Sequence, residues 1–499
     1  MLGFSHKPDN KSIRSARMPM KYLLATIAFI VAATPGYADR PKLEFRLGVD
    51  YLQLEQSAIT GLNGMSVLYS FDQGYYAGAS IYSAALGSGG GFFVGGWEIG
   101  KHTLITDTLF WDASIFVGGG GGASQVSGDG LMLRPQIHAG YDFGAYRLGA
   151  GASWVSVSGS GISTPGFALT FTRALNLELI SGHPTSGYNL VNGVRVSALT
   201  PIMRSYFPVN SQKRGGSDLQ TMHLIGAEIS FSSEDSSEAF IQANGVVAGD
   251  AEGYADWILG KRYFLDVAPF EFFVDFGAGI GGGGAVDTGG GLIASANVGV
   301  QVNAFENLDL EFGLGALTSL NGDFLALTPS ARASLSFGSG ASIADNPETV
   351  HWQVSTGLTQ LIISEDFRKH GATSGGAPAL INVDIDVFVL ENLYFTGQAY
   401  TAVTGDAGGF QIGMFGLGYR YPVAGRLSLS GEVLLGAAGG AGVDTRGGLL
   451  GGYKVELDYH LSDAVSLTLG AGHIQTLQTG GMHPETLSLG LKFPFTTLH

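Results

Sequence analysis

The pattern that most constrains this chain is a strict two-residue alternation. The last predicted strand ends Ser488-Leu489-Gly490-Leu491-Lys492-Phe493-Pro494-Phe495. Leu487, Leu489, Leu491, Phe493 and Phe495 share one face, and Ser488, Gly490, Lys492 and Pro494 share the other. Elsewhere Leu131, Leu133, Ile137, Ala139 and Tyr141 oppose Met132, Arg134, Gln136, His138 and Asp142. Leu449, Tyr453, Val455, Leu457 and Tyr459 oppose Lys454, Glu456, Asp458 and His460. Strict alternation argues half-buried strands and against helices. An apolar face backed by a small or polar one suits a strand with lipid on one side and a lumen on the other.

The terminal strand also resembles the C-terminal sorting signal of Gram-negative outer-membrane β-barrel proteins, with Ser488, Gly490, Phe493 and Phe495 at the marked positions. It departs from that pattern in the tail Thr496-Thr497-Leu498-His499. The resemblance implies delivery to the cell outer membrane, contact with its lipid and lipopolysaccharide, and insertion by the barrel-assembly machinery. The N-terminus agrees. Met20-Lys21 is a basic start, Tyr22 to Ala33 is apolar but for Thr26, and Gly36-Tyr37-Ala38 offers small residues to a signal peptidase, so cleavage is expected after Ala38. That apolar run is too short to span a bilayer as a helix.

Composition fits. The chain has 79 Gly, 30 Phe, 14% charged residues and no Cys. Neither a disulfide framework nor a thiolate metal site is available. The leader carries Lys7, Lys11, Arg14, Arg17 and Lys21 against Asp9, so its removal moves the formal charge from −16 to −20. An acidic chain argues against nucleic acid as a partner and favours cations over anions at its walls.

Three landmarks recur in order. A Gly closes an aromatic-rich strand at Gly100, Gly260 and Gly418; a glycine loop opens into a strand 30, 31 and 30 residues later, at Gly130, Gly291 and Gly448. Gly149-Ala150-Gly151, Gly313-Leu314-Gly315 and Gly470-Ala471-Gly472 follow, each before a Pro (Pro165, Pro329, Pro484) and a final strand. We divide the chain into residues 1–38, then repeats at 39–178, 179–340 and 341–499. Each repeat reads as about eight strands, with short turns at one rim and longer glycine loops at the other, so the fold class is all-β, a transmembrane antiparallel barrel. In lipid the sheet must close. The single strong sorting strand favours one barrel of about 24 strands. Three tandem eight-stranded barrels are the alternative, suggested by the long connectors 174–193 and 338–348 and the small inward residues.

Catalytic signatures are missing from the sequence: it holds no G-x-S-x-G elbow, H-E-x-x-H or phosphate loop. His473 and His483 bracket one outer loop, but nothing singles out Ser466 or Ser488 as a nucleophile. No enzyme activity, metal or cofactor is expected. Inward-facing charges are the better candidates. Asp275 and Glu432 each lie 16 residues before their glycine-loop landmark, where the first repeat has Ser114. Asp112, Glu98, Glu271, Asp309, Glu311, Glu456 and Asp458 join them, with Arg134, Arg147, Lys101, Lys261, Lys454 and Lys492 read as facing the same way. Such residues line a pore and set ion preference, or form wall salt bridges that fill the lumen. Tyr75, Tyr76, Trp97, Trp111, Trp154, Trp257 and Tyr263 read as interfacial girdles. The leading expectation is a passive porin-like channel for small solutes, weakly favouring cations. The alternatives are a non-conducting structural or anchoring barrel, a polymer conduit, and a lipid-modifying rim enzyme.

Overall fold

The computed structural model describes residues 42–52, 59–123, 128–144, 146–160, 162–180, 195–234, 236–267, 270–305, 307–336, 349–363, 367–369 and 375–498. The leader and its cleavage point at Ala38 lie outside them. The first repeat forms β1 (Lys42–Leu52), β2 (Ile59–Ser70), β3 (Tyr75–Gly87), β4 (Phe93–Leu104), β5 (Leu109–Gly121), β6 (Met132–Asp142), β7 (Tyr146–Val157) and β8 (Ile162–Ile180). The second forms β9 (Arg195–Pro208), β10 (Met222–Glu234), β11 (Ser237–Gly249), β12 (Ala255–Val267), β13 (Phe270–Gly282), β14 (Leu292–Phe305), β15 (Leu308–Ser319), β16 (Leu325–Leu327) and β17 (Ser330–Ser336). The third forms β18 (Thr349–Ile362), β19 (Ala379–Phe388), β20 (Leu393–Ala402), β21 (Gln411–Ala424), β22 (Leu427–Gly439), β23 (Leu449–His460), β24 (Ser466–Thr476) and β25 (Glu485–Leu498).

Every repeat closes on itself. β1 pairs antiparallel with β8, setting Val49 opposite Leu169. β9 pairs with β17, setting Arg204 opposite Ser330, and with β16, setting Phe207 opposite Leu327. β18 pairs with β25, setting Thr356 opposite Leu491. The single wide barrel is therefore corrected to three barrels of eight strand positions. β16 and β17 share one position in the second barrel, interrupted at Pro329, which has no N–H for the ladder. The ends of β8 and β25 also pair, Ile180 with Thr496, and tie the first barrel to the third.

Alternation places the small and polar rows inside. The first landmark glycine of each repeat leaves room for an aromatic ring from the neighbouring strand. A Cβ on Gly100 would come within 2.4 Å of the Tyr76 ring, on Gly260 within 2.1 Å of Phe240, and on Gly418 within 2.2 Å of Tyr394. The three rings all come from the third strand of their barrel. Tyr76, expected in an outer girdle, is thereby corrected to a buried inward residue.

On the loop side each barrel is filled by an apolar cluster. Leu62, Phe92, Phe116 and Met132 fill the first; Tyr206, Leu224, Tyr254 and Phe324 the second; Leu380, Phe410, Leu434 and Leu450 the third. All are buried. The outer walls are apolar instead, with Phe167, Leu169, Phe276, Phe312, Leu314, Val433 and Leu489 exposed.

The barrels meet head to tail. The loop after the third strand of one lies against the glycine-rich end of the fifth strand of the next. Gly90 N–H donates to Gly289 O at 2.8 Å between the first and second barrels, and Gly408 N–H donates to Gly128 O at 2.7 Å between the third and first. Between second and third, Glu252 accepts from Thr445 Oγ1 and from Gly447 N–H, and pairs with Lys369 Nζ at 2.7 Å. Val196, Ile229 and Phe231 of the second barrel also pack with Trp352, Val387 and Phe495 of the third. The same two surfaces are used at each junction, so the contacts close into a ring with pseudo-threefold order.

Candidate functional site: the barrel interiors

Below each apolar cluster, toward the short turns, lies a layer of charged side chains. In the first barrel Arg46 lies 2.9 Å from Glu98 and 3.0 Å from Asp112. Tyr76 OH donates to Asp112 at 2.6 Å. Arg134 grips Asp50 with two bonds, at 2.7 and 2.8 Å, and Arg147 pairs with Glu44. Ser114 donates to Glu98 at 2.7 Å.

The second barrel is organised by two guanidinium groups. Arg262 sits 2.9 Å from Glu228, 2.7 Å from Glu238, 3.6 Å from Asp275 and 3.8 Å from Glu311. Arg332 reaches Asp275 at 3.4 Å and Glu311 at 3.5 Å. Glu271 and Asp309 are half-buried nearer the short turns, where Asp309 accepts from Asn303 at 3.1 Å. In the third barrel Lys454 lies 3.1 Å from Asp384, 3.2 Å from Glu432 and 3.0 Å from Glu456. Lys492 lies 2.9 Å from Glu456 and 3.3 Å from Asp458. Tyr394 donates to Glu432 at 2.8 Å.

The ten residues expected to line one pore all face inward, but they are divided among three interiors. Asp112 and Arg134 belong to the first barrel; Glu271, Asp275, Asp309 and Glu311 to the second; Glu432, Lys454, Glu456 and Asp458 to the third. Ser114, Asp275 and Glu432 do occupy equivalent places, all buried. Arg46, Arg204, Arg262 and Arg332, buried at the centres of these layers, were not singled out in the sequence, although their parity marks them. Lys101 and Lys261 are corrected: they face outward. Glu98 and Lys101 have opposite parity on an unbroken strand, as do Arg262 and Lys261.

Serine and histidine do meet at the mouth of the third barrel. His460 Nδ1 lies 2.8 Å from Ser466 Oγ and its Nε2 lies 3.2 Å from Ser428 Oγ. Among the described residues no carboxylate holds this imidazole, so the orienting member of a triad is lacking. His473 bonds Glu485 instead. Ser488 and Gly490 face inward on β25, while Phe495 faces outward and stacks on Trp352 with rings 5° from parallel.

Apolar walls outside and paired charges inside define an inverted barrel, built to sit in lipid. No protein-family model matches the chain, and no curated protein matches it. Solved structures similar to it include OccK8 (OprE) of Pseudomonas aeruginosa, at 11% identity over 92% of this chain and 98% of that one, with a TM-score of 0.21. The outer membrane protein opdK of Pseudomonas aeruginosa matches at 9% identity over 92% and 100%, TM-score 0.24. The siderophore receptor PirA of Acinetobacter baumannii matches at 10% identity over 93% and 81%, TM-score 0.28. At such scores the likeness carries nothing about the function of this chain.

Proposed function

We propose that this chain is an integral protein of the Gram-negative outer membrane, non-enzymatic, whose three barrels form a sealed, ion-paired scaffold. Its partners on this reading are membrane lipid, lipopolysaccharide and, during insertion, the barrel-assembly machinery. The observation that supports it best is the double barrier in each interior: an apolar cluster on the loop side and a layer of paired charges below it. Passage of a hydrated ion would require parting both. Single-channel recording of the refolded protein tests this. A scaffold gives no steps above the lipid background; stable steps from all preparations overturn it.

A second reading, the porin-like channel, is favoured by the surplus of inward carboxylates. In the third barrel Asp384, Asp386, Glu432, Glu456 and Asp458 face Lys454 and Lys492, with Arg420 half-buried at the mouth. A conducting state would then pass cations preferentially. Asp275→Asn with Glu432→Gln should lower the cation-to-anion permeability ratio at low salt, where screening is weakest. An unchanged reversal potential would remove these residues from the path.

A further inference from the structure

The outer walls hold an anomaly. Among the described residues the outward rows carry three cations, Lys101 on β4, Arg173 on β8 and Lys261 on β12, and one carboxylate, Glu485. Glu485 sits at the opposite, loop-side rim and meets His473 at 3.1 Å. The cations lie toward the short turns. Lys101 Nζ is 4.5 Å above the Tyr75 ring centroid and 3.5 Å from the Tyr75 hydroxyl. Lys261 Nζ is 5.1 Å above the Tyr263 ring centroid. Among the described residues neither ammonium has a carboxylate within 4.0 Å.

Their surroundings are apolar. Lys261 stands across from Phe276, which is 55% exposed, and above Leu265, which is 65% exposed. Lys101 stands between Tyr75 on β3 and Ala113 on β5. A lysine on a lipid-facing wall costs about 2–4 kcal/mol at mid-bilayer and about 0–1 near the interface. Its long stem carries the charge toward the headgroups. Two repeats place this residue immediately after the landmark glycine; the third has Tyr419 there. An ammonium offers three donors and a tyrosine hydroxyl one more. Donors with no carboxylate partner among the described residues, on stems long enough to reach toward the headgroups, suit an acceptor-only anion.

We propose that Lys101 with Tyr75, and Lys261 with Tyr263, each hold the phosphate of an anionic glycerophospholipid in the leaflet facing the short turns. This rests on the membrane reading above. Short turns face the periplasm in outer-membrane barrels, so the source is the inner leaflet and not lipopolysaccharide.

The test is native mass spectrometry of the full chain released from micelles containing phosphatidylglycerol, phosphatidylcholine or lipopolysaccharide. The wild type should retain two phosphatidylglycerol molecules in preference to phosphatidylcholine. Lys101→Gln and Lys261→Gln should each weaken one site about fivefold, the effect of one lysine at a membrane surface. Tyr419→Lys should add a third site. Folding of each variant is checked by the mobility of the unheated band. Phosphatidylglycerol retention unchanged in the double lysine variant, equal retention of phosphatidylcholine, or preferential capture of lipopolysaccharide overturns the proposal. A wild-type chain that enters neither micelle nor vesicle overturns the membrane reading, and this one with it.

Discussion

Arg262→Met separates a filled barrel from an open one. The guanidinium is fully buried and lies within 3.8 Å of four carboxylates, Glu228, Glu238, Asp275 and Glu311. Its plane also covers the rings of Phe240 and Phe273, 5.2 Å from each. Methionine keeps much of the volume and removes the charge. Breaking a buried pair by removing one partner costs about 3–5 kcal/mol, because the other charge is left uncompensated. Arg332 remains beside Asp275 and Glu311, which points to the lower end. Glu238 loses the one ion pair it makes among the described residues. A loss of about 3 kcal/mol is a little over two powers of ten in the folding equilibrium. Urea titration in vesicles, followed by tryptophan fluorescence, measures it. Arg262→Met combined with Glu238→Gln should recover part of the loss, since one orphaned charge is gone. In a water-filled lumen the same pairs would be solvated and worth at most about 1 kcal/mol. A measured loss below that value would refute the sealed interior.

Three further outcomes follow. Gly260→Ala puts a methyl 2.1 Å from the Phe240 ring and should destabilise by about 1–3 kcal/mol as an overpacked site, seen as an earlier urea midpoint. The junction between the second and third barrels should weaken in acid. Burial works to raise the Glu252 carboxyl, but the bonds from Lys369 and Thr445 outweigh it and hold it below its ordinary range. Its contribution is therefore present above the unfolded carboxyl range and lost as pH falls through the depressed folded value. Protease nicking or hydrogen exchange in loops 250–254 and 440–448 should rise there, and Glu252→Gln should abolish the pH step. Replacing Phe493 and Phe495 by Ala should reduce outer-membrane assembly; normal levels of inserted protein would show that this strand end is not read as a signal.

Strand positions were legible because alternation is a property of each strand alone. The alternation from Leu449 to His460, read as a half-buried strand from its pattern, has the bounds of β23. The number of closures was not legible, because closure depends on which distant edges pair. Val49 meets Leu169 and Thr356 meets Leu491 across whole repeats, and no local pattern records that choice. One signal did bear on it. Gly100, Gly260 and Gly418 each sit under an aromatic ring from the adjacent strand, and the inward rows are rich in Gly, Ser and Ala. Rings and small residues fill a narrow barrel; a lumen of about 24 strands would leave them facing water.

The charged layers were half legible for the same reason. Parity identified Arg134, Lys454, Glu456 and Asp458 as inward but could not name their partners, which depend on register and strand tilt. Parity sets Lys261 and Lys101 outward, against the inward reading of both: it is Arg262 that enters the second barrel, and Glu98 with its two-residue neighbours Gly100 and His102 that face into the first. The error is informative because the two faces price a charge differently. Inside a narrow closed barrel an unpaired charge costs far more than a paired one, so Arg262 meets four carboxylates. Outside, a lysine can reach the headgroups, so it needs no protein partner and leaves no paired residue in the sequence. On the membrane reading, an outward cation without a carboxylate beside it is therefore a statement about the lipid around it, whereas an inward cation is a statement about the fold.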